Sequence, residues 1–328
     1  MTYEDLPTVP RAEELVDKAF SRAARAGRAK SGAEAQRSML QTAGNILSDN
    51  LQNVTTSWPD FDRVDPFYRE LADAVVPAHG DCPGGVDGLR THLSEVMWAG
   101  RQAGHIRDEY QSKLRGVDAD LARKHRKQAF ARLADVTREV SEDLEALGEA
   151  RDTLKTLPDI RADQPTIVVA GYPNVGKSTF VNRVTNARNE VASYPFTTKQ
   201  VRVGHVERDH VRYQLIDTPG LLDRPEAERN GIERQAVSAL RHLADCILVF
   251  VDASAECGYP VEVQLALRDE LADRFADIPV LTVCTKADRS RDLDADAYVS
   301  VTEEEGVEEL LDAAVEAVDY EIELPFEG

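Results

Sequence analysis

Hydrophobic and polar positions fall into two textures along the chain. From about Arg11 to Leu157 the apolar residues recur at helical spacing. Leu133, Val136, Val140, Leu144 and Leu147 follow one another at steps of 3, 4, 4 and 3, one stripe on a long helix. In "VDPFYRELADAVV", Asp65 reads as an N-cap with Pro66 at the first helical position, where its missing N–H breaks no ladder bond. "AHGDCPGGVDG" (Ala78–Gly88) supplies a loop. Antiparallel helices packed as an all-α bundle are the natural outcome, and no internal repeat is evident.

After "LPDIRADQP" the texture changes. "TIVVAG", "VRYQLID", "CILVFVDA" and "IPVLTVCT" are short, apolar and β-branched, and helical stretches separate them. Strands alternating with helices predict an α/β unit, a mostly parallel sheet of about six strands covered on both faces. Pro165 marks the entry. The expected division is a helical bundle over 1–160 and an α/β domain over 161–328, in keeping with the two-domain prior for 328 residues.

The loop "GYPNVGKST" (Gly171–Thr179) lies between the strand "TIVVA" and the helical "TFVNRVT", and it fits G-x-x-x-x-G-K-[ST] in its required context. Gly171 and Gly176 permit a tight backbone path. The N–H groups of Tyr172, Pro173-flanked Asn174, Val175, Gly176, Lys177, Ser178 and Thr179 can then face a triphosphate beside a helix N-terminus. Lys177 is placed to reach the β- and γ-phosphates, and the Ser178 hydroxyl can ligate Mg²⁺.

Further motifs follow in order. Asp217 closes "VRYQLID" and is positioned to hold Mg²⁺, and in "DTPG" the amide of Gly220 can meet the γ-phosphate, so that the next loop senses it. In "YPFTTK", Thr198 is the choice to complete the Mg²⁺ shell, with Thr197 second. "TKAD" supplies base choice: the Asp288 carboxylate can accept from both the ring N–H and the exocyclic amine of guanine, a pair adenine lacks, while Lys286 lies along the base plane. Thr285 stands where such motifs usually carry asparagine. Ser300 and Val301, after a last strand, can bring a backbone amide to the guanine carbonyl. GTP or GDP with Mg²⁺ is the expected ligand set. Lys177, Thr198 and Gly220 are the expected catalytic groups.

One feature runs against rapid hydrolysis. Leu221 and Leu222 follow "DTPG", where GTP-cleaving enzymes often place a polar, water-orienting residue. Slow intrinsic turnover is expected, awaiting a partner or a cation. Asn174 resembles the potassium-coordinating asparagine of some cation-dependent GTPases, and K⁺ there would neutralise developing charge. Equally, Asn174 can simply stabilise the loop. Arg224 and Arg229 are further candidates for a phosphate, or solvated loop residues.

Charge sharpens the contrast between the halves. The chain carries a formal net charge of −20. Residues 1–164 hold 23 basic and 28 acidic side chains, a net of −5, and the remainder 16 and 31, a net of −15. Adaptation to high salt and an acidic mesophilic surface both account for this. The two basic clusters, "RAARAGRAK" (Arg22–Lys30) and "RKHRK" (Arg123–Lys127), lie in the helical half, where they read as an RNA-backbone contact or as solvated helix faces. Four scattered cysteines without a CxxC pair argue against a disulfide or zinc framework. There is no run of about 18 apolar residues and no basic-then-apolar leader, so a cytoplasmic protein without membrane spans is expected.

The motifs together resemble a translation-factor-related GTPase of the Obg branch, and more closely the nucleolar GTP-binding protein family, whose archaeal members are short. The likeness runs nearly continuously from Val168 to Gln264, through "IDTPGLLDRPEAERNGIE" and "CGYPVEVQ". "DEYQSKLRG" and "TLPDI" resemble the family's helical region. The resemblance implies a Ras-like P-loop G domain behind a helical bundle and a GTP-hydrolysing switch in biogenesis of the large ribosomal subunit, with that subunit or its precursor and rRNA as partners. Two other readings stay open: a nucleotide-gated RNA- or ribosome-binding module with negligible hydrolysis, and a GTPase in another translation-related or RNA-modification step.

Overall fold

The computed structural model describes residues 3–157, 160–161, 164–185, 190–192, 201–218, 222–229 and 231–320. Two compact units emerge: Met1–Val64 with Val75–Lys155, and Asp65–Ala74 with Thr156–Gly328.

The first unit is helical. It holds α1 (Ala12–Arg28), α2 (Gly32–Thr56), α4 (Gly85–Lys113), α5 (Ala119–Glu139) and α6 (Ser141–Leu154), while α3 (Pro66–Val75) falls almost wholly in the second unit. α2 is central, packing on α1, α4 and α5. Leu40, Leu47 and Leu51 of α2, Leu89 and Val96 of α4 and Leu133 of α5 are all closed to solvent. The apolar stripe of the sequence is buried throughout, yet it spans two helices rather than one. The chain breaks at Val140, and one turn earlier the buried Thr137 hydroxyl donates to the Leu133 carbonyl at 2.8 Å, a back-bond that bends helices.

Asp65 caps α3 as expected, its carboxylate accepting from the Phe67 amide at 2.9 Å. Tyr68 ties α3 to the second unit. Its buried hydroxyl donates to the Ile160 carbonyl at 2.6 Å and accepts from the Ile160 amide at 2.8 Å, which staples the helix to the segment entering the sheet. The ten-residue helix lies within the region expected to form the bundle, and its contacts group it with the second unit.

The second unit is built on β1 (Thr166–Ala170), β2 (Glu190–Ala192), β3 (Val201–Arg208), β4 (Val211–Asp217), β5 (Cys246–Asp252), β6 (Val280–Thr285) and β7 (Ala297–Val299), with α7 (Lys177–Val184), α8 (Gly231–Leu240), α9 (Val261–Arg274) and α10 (Val307–Val318). The sheet has seven strands in the order β2-β3-β4-β1-β5-β6-β7, one more than the apolar runs suggest. The β2–β3 and β3–β4 pairs are antiparallel, and the other pairs are parallel. β1 and β5 are buried along their whole length, which explains their unbroken apolar runs. α7 and α10 touch each other and pack against the sheet, and α9 lies on β5 and β6. No described helix is long and apolar enough to cross a membrane.

Candidate functional site

β1 lies between β4 and β5, so successive crossovers leave it toward opposite edges of the sheet. Such a reversal opens a crevice at the strands' carboxyl ends, and there the sequence motifs meet: Gly171 after β1, Asp217 ending β4, Thr285 ending β6 and Ser300 after β7.

The phosphate loop owes its path to backbone freedom and tight space. Gly171 has φ +128°, and a Cβ there would stand 2.5 Å from the Phe250 carbonyl oxygen of β5. Gly176 turns into α7 at φ 103°, and Asn174 occupies the left-handed region at φ 64° with its side chain exposed. Val175 and Tyr172 anchor the loop from below; both are buried, and the Tyr172 ring lies 4.4 Å from that of Tyr259. Pro173 is half-buried and Thr179 exposed. The Lys177 amine is held over the loop, donating to the carbonyls of Gly171 at 2.6 Å and Tyr172 at 2.8 Å.

Asp217 is closed to solvent. Its Oδ2 accepts from the Ser178 hydroxyl, and Oδ1 has no hydrogen-bond partner. Burial pushes the carboxyl above its usual range, against the Ser178 hydrogen bond and the charges of Lys177 and Arg202. An orphaned carboxylate oxygen beside a hydroxyl is the donor set a hard divalent cation completes, so Ser178 and Asp217 fit the expected Mg²⁺. Among the described residues no cluster of three or more His, Cys, Asp and Glu offers another metal site. Thr197, Thr198, Gly220 and Leu221 lie outside the described residues.

Leu222 is fully buried, and its carbonyl accepts from the Gly171 amide at 2.9 Å. The second leucine after "DTPG" therefore belongs to the core and braces the phosphate loop. Its neighbour Thr218 is also buried and donates to the Val169 carbonyl at 3.1 Å. Arg224 pairs with Glu233 at 2.6 Å, and Arg229 is sealed in protein, so neither is a solvated loop cation.

On the base side, Asp288 Oδ1 accepts from the Ser300 hydroxyl at 2.6 Å and Oδ2 from Arg289 at 3.0 Å. The Ser300 bond, ahead of the Arg289 charge, holds the Asp288 carboxyl below its ordinary value, keeping it an acceptor. The Ser300 amide is already spent on the Glu305 carbonyl at 3.0 Å. Ser300 is thus engaged through both its amide and its hydroxyl, with Val301 next to it just after β7. The Thr285 hydroxyl donates to the Val251 carbonyl at 3.3 Å, tying β6 to β5.

Lys286 adopts φ 51°, and its amine donates to Asp252 Oδ2 at 2.6 Å. Burial alone would raise the Asp252 carboxyl, but the Lys286 amine and Ser254 hydroxyl outweigh it and hold the group below its ordinary value. Gln264 of α9 then fixes the Asp252 main chain, accepting from its amide at 2.8 Å and donating to its carbonyl at 3.2 Å. Sequence reasoning missed Asp252, Tyr259 and Gln264. The one available signal was position, since Asp252 ends its strand as Asp217 ends β4.

In the helical unit, α1 and α5 run antiparallel. Glu13 pairs with Arg138 at 2.7 Å, and Phe20 stacks on Phe130 with centroids 4.4 Å apart. Continuing that register carries Arg25 and Arg28 to the level of Arg123–Lys127, so clusters distant in sequence share one end of the helix pair. Arg22, Arg25, Arg28, Arg123, Lys124 and Lys127 are exposed, and among the described residues none has a carboxylate partner. Glu13, a candidate neutraliser, is taken by Arg138. Arg126 differs, donating to Gln36 at 3.0 Å and lying over the Phe130 ring.

Comparison with known proteins matches two consecutive stretches of the chain. Residues 3–161 match the NOG1 N-terminal helical domain, and residues 166–286 match the 50S ribosome-binding GTPase domain. An uncharacterized protein of Methanocaldococcus jannaschii is 34% identical over 87% of this chain and 81% of its own length. Nucleolar GTP-binding protein 1 of Saccharomyces cerevisiae is 31% identical over 94% of this chain and 48% of its own length. The Drosophila melanogaster protein of that name is 35% identical over 73% and 36%. The chain spans about half or less of these nucleolar relatives.

Proposed function

Since the chain belongs to the nucleolar GTP-binding protein family, with the helical domain and P-loop GTPase domain of that family and its GTP-binding character, we propose that it is a Mg²⁺-dependent GTPase switch acting in assembly of the large ribosomal subunit. The observation that carries the reading is the meeting of Lys177, Ser178, Asp217 and Asp288 at one row of strand ends. Bound Mg²⁺ would supply charge neutralisation across the β- and γ-phosphates. The chain's own groups bind and orient: Lys177 exchanges its loop carbonyls for phosphate oxygens, Ser178 and Asp217 hold the metal with Thr198, and the Gly220 amide meets the γ-phosphate. Asp288, steadied by Ser300, selects guanine, with Lys286 along the base. Thr285 keeps a strand-to-strand bond.

The apolar Leu221 directly after "DTPG" supports slow intrinsic hydrolysis. It equally favours a second reading, a nucleotide-gated binding module that barely turns over. Single-turnover GTP cleavage with and without large-subunit particles separates the two. Acceleration by particles supports the switch, and no cleavage under either condition supports the module. The exposed Asn174 suits potassium assistance. Faster turnover in KCl than in NaCl at equal ionic strength is expected, and equal rates refute it.

RNA is the proposed partner of the α1–α5 end, because unpaired cations gathered on a chain of net charge −20 suit a polyanion. Reversing Arg25, Arg28, Arg123, Lys124 and Lys127 together is expected to abolish co-sedimentation with large-subunit particles while nucleotide binding persists. Unchanged co-sedimentation removes the patch from the account.

A further inference from the structure

The turn "TKAD" after β6 is gripped at three successive residues. The Ala287 amide donates to the Val299 carbonyl of β7 at 3.1 Å, Asp288 accepts from Ser300, and Lys286 is anchored through its side chain. Lys286 itself stands at φ 51°, a region that residues with a side chain enter sparingly. Sheet register sets the anchor. Asp252, ending β5, lies opposite Thr285, ending β6, so the next residue after β6 comes within reach of the Asp252 carboxylate. Lys286 Nζ donates to Asp252 Oδ2 at 2.6 Å; the lysine side chain is 28% exposed and that of the aspartate is not exposed at all.

Unlike Asp217, Asp252 has no acceptor to spare. Oδ1 accepts from the Ser254 amide at 3.0 Å and its hydroxyl at 2.5 Å, while Oδ2 accepts from the Cys257 amide at 2.9 Å as well as from Lys286. These donors fill the sites that an ionised carboxylate offers. The main chain of Asp252 is equally fixed, because the buried Gln264 bonds both its amide and its carbonyl. Burial opposes the charge, yet the Lys286 and Ser254 bonds outweigh it and keep the carboxyl below its ordinary value. A carboxylate so sealed and so fully bonded is placed to touch neither metal nor nucleotide. What it does toward the surface is hold one ammonium. An unheld lysine on an exposed turn spreads over many rotamers, and ordering it on binding costs entropy. Here the head is pinned, and the stem stands ready two residues before Asp288.

We propose that Asp252, seated by Gln264, is a positioning residue for base binding, fixing the Lys286 head so that its stem covers one face of the guanine whose edge Asp288 reads. The inference rests on the GTP reading above and deepens its base site. Asp252 acts only through Lys286, by removing rotamer freedom before the ligand arrives. Recognition then has two separable parts. Asp288 reads the edge, which tells guanine from other bases, and Lys286 with Asp252 supports the face, which purines share.

The test measures affinities of the full chain for GDP and inosine diphosphate by calorimetry in Mg²⁺. The two ligands differ only in the exocyclic amine that Asp288 accepts. Asp252→Asn keeps the side-chain shape and removes the charge that pins Lys286. GDP affinity is expected to fall about tenfold, the scale of one rotamer-rich side chain immobilised on binding, and inosine diphosphate affinity by the same factor. Lys286→Met keeps a stem, removes the ammonium and is expected to cost as much. The double variant is expected to bind no worse than either single one, a non-additivity that general loosening of the fold does not give. Should Asp252→Asn not fold, Lys286→Met breaks the same contact from its partly exposed end and is read in the same way. A folded single variant whose GDP affinity lies within about twofold of wild type overturns the assignment. So does a double variant whose losses multiply, or a loss confined to GDP. A wild-type chain that binds neither nucleotide refutes the GTP reading itself, and the assignment with it.

Discussion

Replacing Asp217 by asparagine should make the ligand-free protein more stable and the liganded protein less so. The wild-type carboxylate has no solvent exposure, one hydrogen bond from Ser178 and one oxygen without a partner. In water an ionised carboxylate has about four acceptor sites filled, and leaving a buried acceptor unmet costs about 1–3 kcal/mol, more when charged. The amide keeps an acceptor for Ser178 and sheds the charge, while its own NH₂ goes unpaired at about 1 kcal/mol. The net gain is about 1–2 kcal/mol, and in a unit of this size each kcal/mol moves Tm by about 2–4 °C. With Mg²⁺ and a non-cleavable GTP analogue at about 100 times Kd, the wild type gains about 2.7 kcal/mol. The variant, lacking the charge that holds the metal, forfeits most of this. Thermal unfolding followed by circular dichroism, in EDTA and then in Mg²⁺ with analogue, should show the order of Tm values reverse. A variant less stable than wild type in EDTA, or one with an undiminished ligand shift, refutes the assignment of Asp217 as a buried charge kept for a cation.

Asp288→Asn exchanges an acceptor pair for one acceptor and one donor, so preference should move from guanosine toward xanthosine nucleotides in a competition assay; undiminished GTP preference would remove Asp288 from base reading. Tyr68→Phe strips both partners from the Ile160 backbone and should cost about 1–3 kcal/mol in urea unfolding, with no cost if water replaces the hydroxyl. Burial, then the Asp245 carboxylate, pushes the Cys246 thiol from 9.0 up to about 12. The neutral thiol's contribution is complete below about pH 9 and is lost as pH rises through about 12. Across that window wild type should lose up to about 4 kcal/mol that Cys246→Ala does not lose. Parallel pH profiles for the two proteins would contradict this. Cys246 should also resist alkylation at neutral pH while the partly exposed Cys82 reacts, as mass spectrometry can follow.

What the sequence made legible were determinants contained in a few neighbouring residues. The phosphate loop carries its glycines, lysine and serine within nine positions, and the Asp65–Pro66 cap acts on the next amide. What escaped depends on distant pairing. Tyr68 meets Ile160 across 92 positions, a pairing that ties α3 to the second unit. Asp252 matters because β5 pairs with β6 and so brings Lys286 to it, a fact of strand order that local composition does not encode. The stripe through Val140 was correctly apolar, yet periodicity cannot register a threonine back-bond that splits the helix. β2 escaped because so short an edge strand lacks the unbroken apolar runs that marked β1 and β5.

Leu222 bears on mechanism in a way the sequence left open. A leucine after "DTPG" could have stood over the site, keeping water from the γ-phosphate. It lies instead in the core, and its carbonyl engages Gly171, the first residue of the phosphate loop. Its role is structural: it ties the phosphate loop to the same segment that Glu270 holds through Arg229 and the Glu226 amide. A segment braced at both ends by buried groups moves as a unit or not at all, because core packing is bistable rather than continuously deformable. Such a loop suits the two settings of the proposed switch.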